Sequence, residues 1–290
     1  MRIVVTGASG QLGAYLIDRL AAGPHEIDGW SRITAETRGG IKFRPVEMTD
    51  RDAVLAALAE FDPGAVIHAA GVSSAEGVRR DPQRAQAVNV LATKLLSDWA
   101  AEHDRRLVFT STDLVFDGEK SWYREDDAAR PILAYGQTKH AAEEFVLAAP
   151  RGLVARLSLL YGPSRNGREG FFDRTQNALR EGIHQAFFSD EYRTPLDYGT
   201  AATLLVRLTA METGGIIHLG GPERLSRFEL MSRAAAAAGL DPALVKPNRR
   251  ADVLSPEPRP ADVSLDCSRL RDVCSDLICP CVENAIVAVC

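Results

Sequence analysis

Short apolar runs and longer amphipathic stretches alternate along the first half of the chain. Runs such as RIVVTG, AVIHAAG and RLVFTST have the length of strands that are buried on both faces. Between them, stretches such as QLGAYLIDRLAA place Leu12, Leu16 and Leu20 on one side of a helix. This alternation predicts an α/β fold, a Rossmann-type doubly wound parallel sheet with helices on both faces.

The same periodicity assigns the remaining elements up to Gly162. Strands are predicted at HEIDGW and LVARLSLLYG. Helices are predicted at DRDAVLAALAE, capped by Thr49 or Asp50, at DPQRAQAVNVLATKLLSDWAAEH, with Pro82 in its first turn, and at ILAYGQTKHAAEEFVLAA.

The pattern changes after Gly162. The stretch PSRNGREGFFDR is loop-like, GGIIHLG is one more strand, and Ser226 to Glu229 form a capping box whose helix ends at Gly239. A Pro-rich extended segment, PNRRADVLSPEPRPADVSL, follows. We therefore predict a Rossmann domain over residues 1–162. Residues 163–290 should form mainly a smaller lobe, discontinuous and sharing some elements with the first domain.

Composition and charge narrow the classes of partner. The 290 residues are 46% hydrophobic, which suffices for one large α/β domain or a domain with a small lobe. A net charge of −5 gives no electrostatic reason to expect nucleic acid or an anionic membrane as partner. The N-terminal apolar run is too short for a secretion signal, and no run could span a bilayer. We therefore expect a cytoplasmic protein.

The cysteines all lie near the C-terminus, and their number is odd. A reducing cytosol keeps such thiols free. The CPC fragment has no second CxxC and no nearby histidine to complete a zinc site. We therefore expect free thiols, and no metal site, at Cys267, Cys274, Cys279, Cys281 and Cys290.

A glycine-rich loop, TGASGQLG, connects the first predicted strand directly to the first predicted helix. Gly7, Gly10 and Gly13 would allow a tight turn and a close approach of backbone N–H groups to a pyrophosphate. The helix N-terminus adds a partial positive charge. The context therefore predicts a dinucleotide site that also uses Ser9, Gln11 and Leu12, the alternative being a glycine-rich turn without a ligand.

The tip of the second predicted strand bears on the choice of dinucleotide. It carries Ser31 and Arg32 instead of the acid that usually binds the ribose hydroxyls. A hydroxyl and a guanidinium suit a 2′-phosphate, so NADPH is favoured and NADH remains possible. Asp28 lies earlier in the strand and should point into a face of the sheet. The alternative for Arg32 is a solvated loop residue.

A tyrosine and a lysine lie four residues apart in the segment YGQTK. On a helix, Tyr135 and Lys139 share one face, and a nearby ammonium should favour the phenolate. Such a pair alone is more often a helix-surface feature. Here it follows a strand that ends in Ser111 and Thr112, at the sheet edge where open α/β folds bind ligands. We therefore expect Thr112 and Tyr135 to converge on one cleft.

Four segments taken together resemble one known superfamily. TGASGQLG, STDLVFDG, YGQTK and RPADVSL, in this order over nearly the whole chain, are similar to the extended short-chain dehydrogenases/reductases, and more narrowly to the dTDP-4-dehydrorhamnose reductase branch. The resemblance implies Thr112 as the catalytic hydroxyl, Tyr135 as the general acid–base and Lys139 as its partner. It also implies that Gly7, Gly10 and Gly13 bind the pyrophosphate.

The resemblance extends to the surrounding loops. It implies cofactor contacts at Ala69, Ala70 and Gly71 in the segment IHAAG, and a role for Asn89 in steadying the active-site loop, the alternative being a solvent-facing residue. His68 is better explained as a packed strand residue than as a catalyst. Glu47 stands where relatives often have an aspartate against the adenine. The carboxylates that bind magnesium in some members of the family are not assigned to residues of this chain.

Substrate contacts are expected at Val72, Asp113, Arg193 and Arg259, although Asp113 has the alternative of a turn or capping residue. Arg165 and Arg168 lie in the region expected to form the substrate lobe and are further candidates for binding phosphate groups. For each arginine the alternative is a surface position. A homodimer is expected by analogy, through the helices around Asn89 and His140.

The resemblance predicts NADPH-dependent reduction of a nucleotide-linked 4-keto sugar. Hydride would come from nicotinamide C4, and the proton from Tyr135. Two alternatives remain. The segments WYREDDAARPILAYGQTKHAAEEFVL and YRTPLD are also similar to the regulatory β-subunit of methionine adenosyltransferase, which would make this an NADP-binding regulatory protein. An NAD-retaining nucleotide-sugar epimerase or dehydratase is the other.

Overall fold

The computed structural model describes residues 1–32 and 37–288, and its central element is a parallel sheet of seven strands. In chain order the strands are β1 Arg2–Thr6, β2 Glu26–Ser31, β3 Arg44–Pro45, β4 Ala65–His68, β5 Arg106–Thr112, β6 Gly152–Leu157 and β7 Gly215–Leu219. Their spatial order is β7-β6-β5-β4-β1-β2-β3, and every neighbouring pair is parallel. The predicted Rossmann-type α/β fold is confirmed.

Helices pack on both faces of this sheet and, in the second half of the chain, in a separate core. In chain order they are α1 Gln11–Ala21, α2 Arg51–Phe61, α3 Ala75–Arg80, α4 Pro82–Ala85, α5 Ala92–Glu102, α6 Ala134–Ala148, α7 Phe171–Arg180, α8 Tyr198–Thr209, α9 Arg227–Ala237, α10 Ser268–Val273 and α11 Val282–Val287. Buried side chains of α1 and α8 share one core with the sheet, and those of α2, α5 and α6 share the other. The helical apolar stripes therefore pack where the periodicity predicts.

The long helix predicted from Asp81 to His103 is interrupted. Asp81 caps it by accepting from Arg84 N at 2.9 Å, and Pro82 occupies the first turn as expected. The stretch Gln86–Leu91 is then π-helical before α5 continues. A π-turn adds one residue to the helical repeat and so redirects the side chains that follow, which periodicity alone does not predict. Asn89 lies in this stretch.

The second half of the chain contributes to the main sheet and also builds its own core. Strand β7 pairs with β6 at the sheet edge, and α8 packs beside α1. A separate core forms around α7, α9 and α11. Short strand pairs join it, linking Gln185–Phe188 to Val245–Asn248, Tyr192–Arg193 to Leu225–Ser226, and Leu160–Tyr161 to Leu196–Asp197. The division at residue 162 stays a prediction.

Two local expectations can be compared with the structure. The predicted capping box is confirmed, because Ser226 Oγ accepts from Glu229 N at 3.1 Å and Glu229 accepts from Ser226 N at 2.7 Å. In contrast, the stretch after Gly162 is not loop throughout. Helix α7 begins at Phe171 because Asp173 accepts the N–H of Gly170 at 2.9 Å.

The C-terminal cysteines lie in or beside the last two helices. Cys267, Cys274, Cys279 and Cys281 are free thiols, and burial raises the pKa of Cys267 to about 12. Cys290 lies outside the described residues. Within residues 1–32 and 37–288 no group of His, Cys, Asp and Glu side chains is placed to hold a metal ion. Across the same ranges no helix has the length and apolarity to cross a membrane.

Candidate active site

A cavity of about 690 Å³ lies at the carboxyl ends of the central strands. Most of the residues predicted for cofactor, catalysis and substrate line it together. They are Gly7, Ser9, Gly10, Gln11, Leu12, Gly13, Ser31, Arg32, Ala69, Ala70, Gly71, Val72, Thr112, Asp113, Tyr135, Lys139 and Arg193. The sheet edge that the sequence indicated is thus where these segments meet.

The glycine loop between β1 and α1 has no room for side chains at two of its positions. Gly7 has a φ of +69°, and a Cβ there would lie 2.8 Å from Ala70 N. A Cβ on Gly13 would lie 2.1 Å from Gly7 O. Gly10 precedes α1 and has no side chain to accept the first-turn N–H groups. Those donors stay available to an anion such as a phosphate.

The tip of β2 forms the next part of the cavity wall. Ser31 Oγ donates to Ser9 Oγ at 3.0 Å, which ties the strand tip to the glycine loop. Arg32 is exposed and lines the cavity. Asp28 is buried and accepts from Arg44 Nε at 2.8 Å, so it faces away from this wall as predicted. The polar groups at this corner are therefore hydroxyls and a guanidinium.

Thr112, at the end of β5, and Tyr135, near the start of α6, are brought together by close packing. A Cβ on Gly136 would lie 2.1 Å from Leu114 O, so only glycine lets α6 approach the turn after β5 this closely. Thr112 lies close enough to the Tyr135 phenol to lower its pKa, and its own Oγ1 donates to Asp113 Oδ1 at 3.2 Å. Ser111, the other hydroxyl of the strand end, donates instead to buried Glu143 at 2.5 Å. Of these two hydroxyls, Thr112 is therefore the one that lies beside Tyr135.

The pKa of Tyr135 shifts opposite to the expected direction. Burial raises it well above its usual value, the nearby Asp113 carboxylate raises it further, and the Thr112 hydroxyl only partly opposes them. The expectation that Lys139 makes the phenolate favourable is thus wrong for this structure. Burial and the Asp113 carboxylate set the direction of the shift, and the phenol stays protonated at neutral pH.

Lys139 lies one helical turn beyond Tyr135 and is almost completely buried. Burial lowers its pKa to about 7, against the opposing effect of Glu143 one turn further on. Its Nζ lies 4.2 Å from the centre of the Phe109 ring, and 3.9 Å from where a Cβ on Gly71 would stand. The Lys139 ammonium therefore lies beside the loop after β4. Because its pKa is about 7, it can gain or lose a proton near neutral pH.

Asn89 connects that loop to the catalytic helix. Its Oδ1 accepts from Val72 N at 2.8 Å, and its Nδ2 donates to Val72 O at 3.2 Å and to Thr138 Oγ1 at 3.0 Å. Thr138 in turn donates to Tyr135 O at 2.8 Å. Asn89 is buried, so the solvent-facing alternative is excluded, and its contacts match the steadying role that the resemblance implies.

His68 is packed inside the sheet. Its ring nitrogens contact Thr6 Oγ1 at 2.7 Å and Thr93 Oγ1 at 3.0 Å, and the ring stacks on Phe109. Burial lowers its pKa to about 3, so the ring is neutral at physiological pH. The structure places His68 as the packed strand residue that was expected.

The far end of the cavity contains a buried cluster of ions that the sequence indicated only in part. Asp113 accepts from Arg193 at 2.7 Å and from Ser158 Oγ at 3.2 Å. Arg193 also lies 3.5 Å from Glu191, a buried carboxylate that was not predicted. Arg227, also not predicted, lines the cavity and has its Nε 3.2 Å from Glu191. In the sequence, Arg227 is marked by its position directly after Ser226, the residue that caps α9.

The structure does not bring Arg259 to this cavity. Its guanidinium donates twice to Glu191 Oε2, at 2.9 and 2.7 Å, and lies over the Phe188 ring. It borders a smaller cavity together with Asp190 and Arg250. Arg259 therefore reaches Glu191 from the opposite side to Arg227.

Arg165 and Arg168 also lie elsewhere than expected. The loop that carries them packs on the glycine loop, because Gln11 Nε2 and Tyr15 OH both donate to Pro163 O, at 3.1 and 2.7 Å. Arg168 donates to Ser9 O and lines the cavity. These two arginines are therefore at the glycine loop and not at the end of the cavity that holds Arg193.

Comparison with known proteins finds similarity over the whole chain. The family described as RmlD substrate binding domain matches residues 1–284. A probable dTDP-4,6-dihydroxy-2-methyloxan-3-one 4-ketoreductase of Streptomyces antibioticus is 31% identical over 93% of this chain and 88% of that protein. Methionine adenosyltransferase 2 subunit beta of Pongo abelii is 29% identical over 93% of this chain and 81% of that protein.

A solved structure shows the same fold. The crystal structure of dTDP-4-dehydrorhamnose reductase from Bacillus anthracis in complex with NADP aligns with a TM-score of 0.87 and 22% identity. The alignment covers 99% of this chain and 98% of that one. At this identity the likeness concerns the fold, including the strands whose ends form the cavity.

Proposed function

The chain belongs to the RmlD substrate binding domain family, and on this premise we propose that it catalyses NADPH-dependent reduction of a nucleotide-linked 4-keto sugar. Family membership confirms the predicted extended short-chain dehydrogenase/reductase type, and with it the oxidoreductase class. One observation carries the finer proposal. Thr112, Tyr135 and Lys139 share a single cavity with the glycine loop, so a carbonyl and a dinucleotide would meet there.

The residues present suit a nicotinamide dinucleotide. Gly7 and Gly13 leave space that any side chain would fill, which lets backbone N–H groups reach a pyrophosphate. Ser31 and Arg32 offer a hydroxyl and a guanidinium to a 2′-phosphate, which favours NADPH. Ala69, Ala70 and Gly71 would border the ribose groups beside Lys139. When bound, the reduced nicotinamide supplies the hydride for the reaction.

Tyr135 and Thr112 would handle the charge that develops on the carbonyl oxygen. As the carbon gains a hydride, Tyr135 donates its phenolic proton to that oxygen, and the carbonyl becomes a hydroxyl. Thr112 Oγ1 donates a hydrogen bond to the same oxygen. The raised pKa of Tyr135 keeps this proton in place until it is needed. Lys139, with a pKa of about 7, then returns a proton towards the phenolate.

The buried ion cluster is the proposed site for the phosphates of the substrate. Two carboxylates, Asp113 and Glu191, face three guanidinium groups, from Arg193, Arg227 and Arg259, so the cluster is cationic overall. The side chains of Arg227 and Arg259 are 26% and 33% exposed, so the excess charge is shared with solvent, and an anion in the cavity would be attracted to it. Within the described residues, Arg193 Nε is buried without a hydrogen-bond partner, and Arg227 Nε lies 3.2 Å from Glu191 without forming a hydrogen bond. Val72 would border the sugar, and a nucleoside diphosphate would complete the cluster.

The direct test is oxidation of NADPH by a panel of dTDP- and UDP-linked 4-keto sugars, followed by absorbance and by identification of the sugar product. We expect NADPH oxidation with at least one member and formation of the corresponding alcohol. Absence of oxidation across the panel, by protein that binds NADPH, would contradict the proposal.

A second candidate function is favoured by the similarity to the methionine adenosyltransferase subunit. That relative and the ketoreductase are each matched over 93% of this chain. A regulatory protein would hold NADP and bind a partner protein without reducing any keto sugar. The epimerase or dehydratase alternative differs again, because it would retain NAD and convert sugars without net oxidation of added cofactor. Oxidation of NADPH by the same panel therefore separates the reductase from both alternatives.

A further inference from the structure

The loop of residues 163–170, here called the clasp loop, lies across the glycine loop although it comes from the second half of the chain. Besides the two bonds to Pro163 O, Asn166 Nδ2 donates to Ser9 O at 3.3 Å, and Arg168 donates to the same oxygen. Ser164 Oγ accepts from Gly170 N at 2.9 Å and closes the base of the loop. These bonds fix the loop against the nucleotide end of the cavity.

Arg168 differs from the deeper arginines that line the same cavity. Arg84 pairs with Glu47 at 3.1 Å, Arg193 with Asp113 at 2.7 Å and Arg227 with Glu191 at 3.2 Å. No carboxylate within residues 1–32 and 37–288 lies at ion-pair distance from the guanidinium of Arg168, which is bonded to a neutral carbonyl. A bond to a carbonyl orients a guanidinium without neutralising it, and leaves further N–H donors for an anion.

The position of Ser9 indicates which anion this is. Its carbonyl holds Arg168, and its hydroxyl accepts from Ser31, next to Arg32 at the tip of β2. Arg168 and Arg32 line the same cavity as the N-terminal turn of α1, where a dinucleotide places its phosphate groups. We propose that Arg168 binds a phosphate group of the dinucleotide, as a second cation beside Arg32. This inference rests on the proposed function, since it assumes that a dinucleotide occupies the cavity.

Arg165, on the same loop, shows the contrasting arrangement. Its guanidinium lies 3.4 Å from Asp18 and 4.5 Å from the centre of the Tyr15 ring, and it does not line the cavity. Arg165 therefore anchors the clasp loop to α1, whereas Arg168 presents a free positive charge to the ligand. Removing the charge from either residue tests the two roles separately.

The test is isothermal titration of the full chain, as wild type, Arg168→Gln and Arg165→Gln, with NADPH, NADH, 2′,5′-ADP and 5′-AMP. We expect Arg168→Gln to weaken NADPH binding about tenfold, the usual scale for a lost charge-assisted hydrogen bond. Arg165→Gln should cost at most about twofold. A loss of affinity confined to NADPH and 2′,5′-ADP would assign Arg168 to the 2′-phosphate. An equal loss of affinity for NADPH and NADH would assign it to the pyrophosphate.

The results that would overturn this inference differ from the result that would refute the proposed function. Equal dissociation constants for Arg168→Gln and the wild type would overturn the inference, and so would equal losses in both variants, because these would show an effect of loop position. Failure of the wild-type protein to bind either dinucleotide would instead refute the proposed function. Arg168→Lys adds a check, since a phosphate contact predicts partial recovery of NADPH affinity with the charge restored.

Discussion

The two ends of the cavity are built in different ways. At the cofactor end, the glycine loop and the start of α1 offer backbone N–H groups, and the residues concerned are contiguous in sequence. At the substrate end, Asp113, Glu191, Arg193 and Arg227 come from three distant segments and act through charged side chains. On the proposed function, the first end would bind a phosphate through main-chain N–H groups, and the second through arginine side chains that buried carboxylates hold in place.

The largest expected effect concerns Tyr135, which lies between the two ends. Tyr135→Phe removes the proton donor but keeps the ring, so turnover should fall by about a thousandfold, within the range for general acid catalysis. NADPH binding, measured by nicotinamide fluorescence, should stay within about twofold of the wild type because the glycine loop is unchanged. Wild-type turnover in this variant would remove Tyr135 from the mechanism.

Glu191→Gln is expected to break the substrate end. The carboxylate is buried among Arg193, Arg227 and Arg259, and the arginines around it hold its pKa below the usual value in spite of the raising effect of burial. Loss of one partner from a buried ion cluster costs about 3–5 kcal/mol, so the urea midpoint should drop clearly. Glu257→Gln, on the smaller cavity, is the control and should change stability by less than about 0.5 kcal/mol. Equal stability of the two variants would show that the cluster does not hold this region together.

Gly13→Ala is expected to break the cofactor end. The added methyl would stand 2.1 Å from Gly7 O, so the loop must shift, at a cost of about 1–3 kcal/mol. We expect dinucleotide affinity to fall about tenfold or more, while nucleoside diphosphate binding at the other end is retained. Gly64→Ala is the matched control, because its Cβ would have only ordinary contacts, the nearest at 3.6 Å. Unchanged NADPH affinity in Gly13→Ala would contradict the main-chain account of this end.

The smallest effect is a dependence on pH that comes from Lys139. Its pKa of about 7 in the folded protein is lower than in an unfolded chain, so the unfolded state binds more protons above pH 7. The free energy of unfolding should therefore rise with pH above about 7, and this contribution should be lost as pH falls through 7. The rise should be smaller in Lys139→Met, measured by urea unfolding at several pH values. Parallel curves for the two proteins would contradict the low pKa.

The cofactor end could be read from the sequence because its signals are local. The glycine spacing, the flanking strand and helix, and the interval from Tyr135 to Lys139 each lie within a few turns of chain, and periodicity places them. Even here, the direction in which the pKa of Tyr135 shifts depends on burial and on Asp113. Neither is visible in a spacing of four residues.

The substrate end depends on contacts between distant parts of the chain. Glu191 is an acid before a short strand, and nothing in its neighbourhood indicates that three arginines converge on it. Arg259 was expected at the substrate and Arg227 was not, yet Arg227 lines the cavity, whereas Arg259 borders the smaller one. Likewise, Asn89 reaches Val72 from a π-helical turn, which a regular helical period does not predict. Long-range packing decides such positions, and no local pattern encodes it.

The most direct test of the central claim is to follow the hydride itself. The protein would be incubated with each 4-keto sugar nucleotide and with NADPH that carries deuterium at nicotinamide C4. Separate reactions would use NADPH labelled on one face of the ring or on the other. The account predicts a sugar product with deuterium at the former carbonyl carbon, seen by mass spectrometry and NMR, and from one face only. A product without deuterium, or NADPH that binds and stays reduced with every sugar, would contradict the claim that this cavity reduces a keto sugar.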